Sequence, residues 1–154
     1  MIQVRPAVYT DCSMWYVWAM EPSVREQSVR SDFFSYAQHC EWWDLKFNDP
    51  KTVMYVGATE DGVPFGQVRY GKDVNVAEVA ISVAPEFRGH GYAVELLQAT
   101  EIPATLSLDV KRLWALILRT NIASIKTFTR AGYTFIGETV RLKKTCLLYE
   151  RIVG

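Results

Sequence analysis

Arg88-Gly89-His90-Gly91-Tyr92-Ala93 is the segment of this chain whose residue types and spacing suit chemistry most directly. A helix start leaves backbone N–H groups unpaired and carries partial positive charge, so glycines just ahead of one let an anion approach those donors closely. Gly89 and Gly91 would give that access, Arg88 would add a permanent cation, and Ala93 would keep the first helical turn thin. His90 and Tyr92 would contribute their backbone amides. The ligand expected of such a loop is a pyrophosphate. A nucleoside triphosphate loop would need G-K-[ST], and a dinucleotide fingerprint would need G-x-G-x-x-G. Gly89-His90-Gly91 is followed by Tyr92-Ala93-Val94, so neither matches. A plain turn before a helix is the other reading of the loop taken alone.

The elements that must position this loop can be read from periodicity. Ile2 to Arg5 alternates like a short strand, and Thr10-Asp11 can cap a helix through Met14, Trp15, Trp18 and Ala19 that Pro22 stops. Tyr36, Cys40, Trp43 and Phe47 form a helical stripe over about 35–47, ended by Asn48-Asp49-Pro50, with Trp42 off the stripe and in need of another partner. From Val53 the pattern turns extended, with Asp61-Gly62 as a hairpin step between Val53–Val56 and Val63–Tyr70. Val74 to Val83 reads as a strand feeding the glycine loop, and the helix from about Gly91 is expected to be limited by Pro103. Arg112–Leu118 reads as a buried strand, Asn121 as the cap of a helix carrying Ile122, Ile125 and Phe128 on one face, and Gly132 as its left-handed stop. Tyr133–Glu138 and Lys144–Ile152 are the last strands. The predicted order is βααβββαβαββ, an α/β (α+β) single domain over 1–154 with a mixed sheet.

Composition narrows the partners. With 17 Lys plus Arg against 17 Asp plus Glu, no net field draws the chain to nucleic acid or an anionic membrane, so neither is expected as a partner and an anionic ligand must be held locally. No apolar run reaches the roughly 20 residues of a membrane span and Met1–Arg5 lacks a signal-peptide pattern, so the expected location is cytoplasmic. Cys12, Cys40 and Cys146 are scattered and odd in number, which argues against a disulfide framework or a zinc site.

Residues 76–132 resemble the acetyl-CoA-binding core of the GCN5-related N-acetyltransferases (GNAT). The family's loop pattern [QR]-x-x-G-x-[GA] is met by Arg88, Gly91 and Ala93, behind a strand ending Ile81-Ser82-Val83-Ala84-Pro85. Its second signature, N-x-x-S-x-x-x-F and then G-[FY], is met by Asn121, Ser124, Phe128, Gly132 and Tyr133. The resemblance implies a central sheet of about seven strands, flanked by helices and splayed between the fourth and fifth. In that V an acetyl-CoA arm would bond backbone groups near Ile81, Ser82 and Val83. Asn121 and Ser124 would flank the cofactor, and Lys126 would reach its phosphates or else be a solvated helix lysine. By the same resemblance 74–133 would form the cofactor core and 1–70 mainly the acceptor side, and a homodimer would be an option.

Acetyl transfer to an amine needs a neutral amine, a donor to the developing oxyanion and a proton for the departing thiolate. Backbone N–H near Val83 could serve the oxyanion. Glu78 is the first candidate base because Glu78, Ala80 and Ser82 alternate onto one strand face; an ordinary solvent-facing glutamate is the competing reading. His39 is the second, since its ordinary pKa near 6.5 suits a base, against a partly buried histidine. The family's usual tyrosine is replaced by Phe128, which leaves Tyr133, Tyr92 or a water as donor, an unassisted thiolate, or weak or lost catalysis.

For the acceptor, Trp15, Trp18, Arg25, Ser28, Ser31, His39, Trp42-Trp43, Asn48-Asp49-Pro50 and Gly66-Gln67-Val68-Arg69 are similar to nucleotide-linked amino-sugar N-acetyltransferases acting on UDP-4-amino-4,6-dideoxy sugars. Such an acceptor would use aromatic surface from Trp15, Trp18 and Trp42 and cations from Arg25, Arg30 and Arg69; at least two of the tryptophans are expected in the core. A protein N-terminal or polyamine N-acetyltransferase, and a non-catalytic acyl-CoA-binding module, are the alternatives.

Overall fold

The computed structural model describes residues 1–154 and shows one mixed sheet with helices on both faces. Its strands are β1 (Gln3–Pro6), β2 (Thr52–Ala58), β3 (Pro64–Asp73), β4 (Val76–Val83), β5 (Arg112–Leu118), β6 (Thr134–Arg141) and β7 (Lys144–Ile152). Their spatial order is β1-β2-β3-β4-β5-β7-β6, and β4–β5 is the one parallel pair. The helices are α1 (Cys12–Ala19), α2 (Pro22–Glu26), α3 (Tyr36–Phe47), α4 (Tyr92–Leu108) and α5 (Ile122–Arg130). No helix is long and apolar enough to cross a membrane.

Local chemistry accounts for most of these boundaries. The Ser35 hydroxyl accepts from the Gln38 amide at 3.1 Å while Gln38 Oε1 accepts from the Ser35 amide at 2.8 Å, a reciprocal cap that starts α3. Asn121 Oδ1 accepts from the Ser124 amide at 3.2 Å and starts α5. The helix through Trp18 ends at Ala19, ahead of Pro22 as expected, and Pro22 then opens α2, whose first amides bond to Glu21, which suits a residue that lacks an N–H of its own. One expectation about proline is corrected: Pro103 does not limit α4, which continues to Leu108. Pro103 and Ala99, whose carbonyl loses its helical partner, are both exposed, so that carbonyl is open to solvent while Leu96, Leu97, Thr100, Ala104 and Leu108 keep the inner face packed.

Alternation sorts each strand between two cores. Val68, Tyr70, Ala77, Val79, Leu113 and Ala115 face α4 and α5 in the larger core, and Met54 and Val56 pack against Trp15 and Trp43 of α1 and α3 in the smaller. The remaining face of β3 and β4 carries Gln67, Arg69, Glu78, Ala80 and Ser82, in register as Gln67↔Ser82, Arg69↔Ala80 and Gly71↔Glu78. This face lies on the side of α1 and α2.

Candidate active site

The parallel ladder between β4 and β5 holds only at Val76↔Arg112, Ala77↔Leu113 and Glu78↔Trp114. Beyond it, β4 stays with β3 as far as Val83↔Gly66, and β5 stays with β7 as far as Leu118↔Cys146. The sheet therefore parts into a V along residues 79–83. Gly66 helps to open it: a Cβ there would meet the Ser82 carbonyl oxygen at 2.3 Å and Val83 Cα at 3.0 Å, so glycine lets β3 draw the end of β4 toward itself and away from β5. Backbone groups of Ile81 and Val83 on the open side lack a strand partner, and unpaired amides inside a sheet are costly unless a polar ligand or water meets them.

At the mouth of the V, Gly89 (φ 81°) and Gly91 (φ 77°) are left-handed, and Gly91 caps α4. A Cβ on either would meet nothing within 4 Å. The constraint on them is thus backbone conformation and an open hollow in front of the first amides of α4, a cradle of the kind a pyrophosphate fills. These features fit coenzyme A. The Arg88 side chain departs from the expected phosphate role: its guanidinium donates to the Val83 carbonyl at 3.0 Å and Ser23 Oγ at 2.8 Å and pairs with Glu21 at 3.4 Å. It ties the loop to α2. His90 lies exposed, stacked on Tyr92 at 5.3 Å, and Tyr92 stacks in turn on Phe65 at 4.8 Å. Asn121 is occupied as a cap, Ser124 is half-buried beside it, and Lys126 is exposed with no side-chain bond.

Several sequence-derived candidates lie elsewhere. His39 is 1% exposed between α1 and α3, bonded through Nε2 to the Cys12 carbonyl at 2.8 Å and ringed by Tyr16, Phe34, Trp42 and Trp43. Burial pulls its pKa below the ordinary value, and it is a packing residue rather than a base at the splay. Tyr133 is 3% exposed in the larger core against Phe128, its hydroxyl sealed from solvent and burial pushing its pKa upward, so it is not a proton donor to the V. Trp15 is core. Arg25 clamps the turn after α2, donating to the carbonyls of Ala19 at 2.6 Å and Arg30 at 2.9 Å and lying over Phe34, so it is not free for a ligand's phosphates. Arg30 is exposed.

Other candidates converge. Glu78 stands at the last β4–β5 pair, where the V opens, and is gripped by Arg141 of the β6–β7 hairpin at 3.1 and 3.2 Å. Arg69 lies over the Trp42 ring at 5.2 Å, which gives Trp42 the partner its off-stripe position required. Desolvation by burial lowers the Arg69 pKa and nearby Glu78 opposes that shift. Trp18 lines a cavity of about 300 Å³ with Glu21, Val24, Ser82 and Val83. From the sequence, Arg141 and Trp114 of this face have no assigned role, and Gln67 enters only as part of the stretch Gly66–Arg69. Gln67 had a signal, a polar residue alternating with Arg69 in an apolar strand, whereas Arg141 reaches Glu78 only through the hairpin's fold.

The model of the Acetyltransferase (GNAT) family matches residues 13–133, so the chain belongs to that family. It is an acetyl-CoA-dependent N-acetyltransferase. Among solved structures, the aminoglycoside acetyltransferase AAC(6')-Ib in complex with coenzyme A and kanamycin is similar at TM-score 0.83 and 15% identity, over 99% of this chain and 95% of that one. RimL, a ribosomal-protein acetyltransferase in complex with coenzyme A, is similar at TM-score 0.83 and 14% identity, over 99% and 94%. Spermidine N-acetyltransferase from Vibrio cholerae in complex with CoA and spermine is similar at TM-score 0.83 and 14% identity, over 98% and 95%. At such identities the likeness is one of fold. No curated protein matches the chain in sequence.

Proposed function

We propose that the chain transfers acetyl to the 4-amino group of a nucleotide-linked (UDP) amino-deoxy sugar. Arg69 is the observation that carries this reading. Its guanidinium lies on Trp42, is lowered in pKa by desolvation, and makes no hydrogen bond or salt bridge within the protein. A guanidinium set over an aromatic ring and without a hydrogen-bond partner in the protein suits an anionic or carbonyl-rich acceptor, such as the diphosphate or ring carbonyls of a nucleotide. Of the carboxylates around the V, Glu78 pairs with Arg141, Glu21 with Arg88 and Glu150 with Arg112. Glu86, at the edge of the cavity beside Ser82 and Val83, is the one left to meet a cationic acceptor such as a polyamine or aminoglycoside.

Acetyl-CoA, when bound, supplies the activated acetyl group. The amides at the start of α4 and the free edge of β4 would hold it, with Gly89 and Gly91 giving access. Glu78 is the base we assign, placed at the apex of the V and oriented by Arg141. With Phe128 and Tyr133 both in the core, neither offers a proton to the V. A nucleotide-linked acceptor places the reaction in the cytoplasm. The test is thiol release from acetyl-CoA with a UDP-4-amino-4,6-dideoxy sugar, spermidine and an N-terminal peptide as separate acceptors; preference for spermidine or the peptide would overturn the sugar assignment, and no release with any amine would favour a non-catalytic acyl-CoA-binding module.

A further inference from the structure

Gln67 is 9% exposed in the middle of β3, and its amide is half satisfied. Its Nε2–H donates to Ser82 Oγ at 2.9 Å, while Oε1 is sealed from solvent without a partner. Exchanging the nitrogen and oxygen of that amide leaves the defect in place, because the Ser82 hydroxyl would then donate to Oε1 and the NH2 group would lack an acceptor. An unpaired amide end buried in this way costs about 1–3 kcal/mol. An apolar side chain of similar shape, such as leucine, would remove that cost, so the amide is retained against stability.

The position of the pair says what it serves. Ser82 faces Gln67 across the β3–β4 ladder, on the stretch of β4 beyond its last pair with β5, and it lines the cavity of about 300 Å³ beside Trp18 and Val24. Arg69 lies two residues along β3 on the same face. The Ser82 oxygen has two lone pairs, and the Gln67 donor takes one, which fixes the hydroxyl and leaves the other available on the cavity side.

We propose that Ser82 and Gln67 form the subsite for the acceptor's primary amine, Ser82 touching the amine and Gln67 acting as a positioning residue behind it. A neutral amine has two N–H donors and one lone pair; accepting one N–H at a fixed oxygen restricts the nitrogen's rotation and leaves the lone pair free for attack. Glu78 lies four residues back along β4, roughly 13 Å between Cα atoms, so in this arrangement the amine's proton would reach it through intervening water and not by direct contact. The inference rests on the preceding reading only for which face of the sheet receives the acceptor. It concerns the amine, which every candidate acceptor has, whereas Arg69 addresses the rest of the molecule.

The experiment measures KM for whichever of the UDP-4-amino sugar, spermidine or peptide is turned over, acetyl-CoA affinity by calorimetry, and the melting temperature of the ligand-free protein, in Ser82→Ala, Ser82→Thr and Gln67→Leu. Ser82→Ala is expected to raise the amine KM about tenfold, the size of one lost hydrogen bond, with acetyl-CoA affinity unchanged, and Ser82→Thr to restore it. Gln67→Leu is expected to raise the amine KM in the same direction while raising the melting temperature. An unchanged amine KM in Ser82→Ala, or a lowered melting temperature with unchanged KM in Gln67→Leu, would overturn the subsite. If the expected pattern appears with spermidine or the peptide and the sugar is inert, the amine subsite holds and the sugar reading falls. If the sugar is turned over and both substitutions are silent, the reverse holds. Absence of turnover with all three amines counts against both.

Discussion

The cofactor mouth and the acceptor face of this domain are built by different means. At the mouth, Gly89 and Gly91 work through backbone: left-handed dihedrals, open space where a Cβ would stand, and the unpaired amides opening α4. On the proposed acceptor face, Arg69, Glu78, Ser82, Trp42 and Arg141 would work through side chains delivered by β3, β4, α3 and the β6–β7 hairpin. A backbone site is compact in sequence and independent of most side-chain identities, so it can be shared across relatives that differ in acceptor. A side-chain site assembled across strands can be changed one residue at a time, which is where selectivity between acceptors would be set. Arg88 joins the two, leaving the loop to bond Ser23 and Glu21 of the acceptor side.

Substitutions at one region should spare the other. The largest effect is expected from Glu78→Gln, which removes the assigned base: kcat should fall by about 10²–10⁴, the range of general base catalysis, with acetyl-CoA affinity by calorimetry unchanged. Wild-type turnover in that variant would remove Glu78 from the mechanism. Next, Arg69→Met should lower kcat/KM for the nucleotide sugar by about 30-fold or more, from the loss of a charge-assisted contact of ~2 kcal/mol or above, without altering turnover of spermidine. Equal losses on both acceptors would mean that Arg69 supports the fold of the face instead. Gly91→Val runs the comparison the other way: a β-branched residue forced left-handed costs about 1–2 kcal/mol before any steric block of the anion, so acetyl-CoA affinity should drop at least tenfold. Calorimetry showing native affinity would sink the loop assignment.

The smallest expected effect belongs to neither region. His39 is buried with its pKa lowered by desolvation. Above the ordinary value of 6.5 both folded and unfolded chains carry it neutral, and no penalty arises. Below that value the unfolded chain takes up a proton that the folded chain resists, so stability should fall with pH from 6.5 down to the lowered folded pKa. Denaturant melts between pH 7 and 5 should show that slope in the native protein and a flatter one in His39→Phe.

The geometry of the glycine loop was largely legible in the sequence because everything it needs is local. The glycines, the strand before them and the helix after them are contiguous, and Asn121 and Ser124 form a cap within one turn. The acceptor face was only partly legible. Burial decides whether a tryptophan or histidine packs or binds, and burial depends on neighbours remote in sequence. Trp15 and His39 therefore proved to be packing residues, while Trp42 found Arg69. Arg25 was hidden for a different reason: its partners, the carbonyls of Ala19 and Arg30, are near in sequence, but only the fold of the turns around α2 brings them to its guanidinium.

Alternation and capping by themselves determined the strands, the main helices and the position of the anion loop, since these depend on interactions within a few residues. Tertiary structure alone decided where the sheet parts, because β4 leaves β5 after Glu78↔Trp114 to stay with β3 while β5 stays with β7, and these are pairings between strands distant in sequence. It also decided which polar side chains of β3 and β4 meet Arg141 and which are left with a free donor or acceptor. Those pairings join residues as far apart as Glu78 and Arg141, and local pattern carries no record of contacts that only the closed sheet creates.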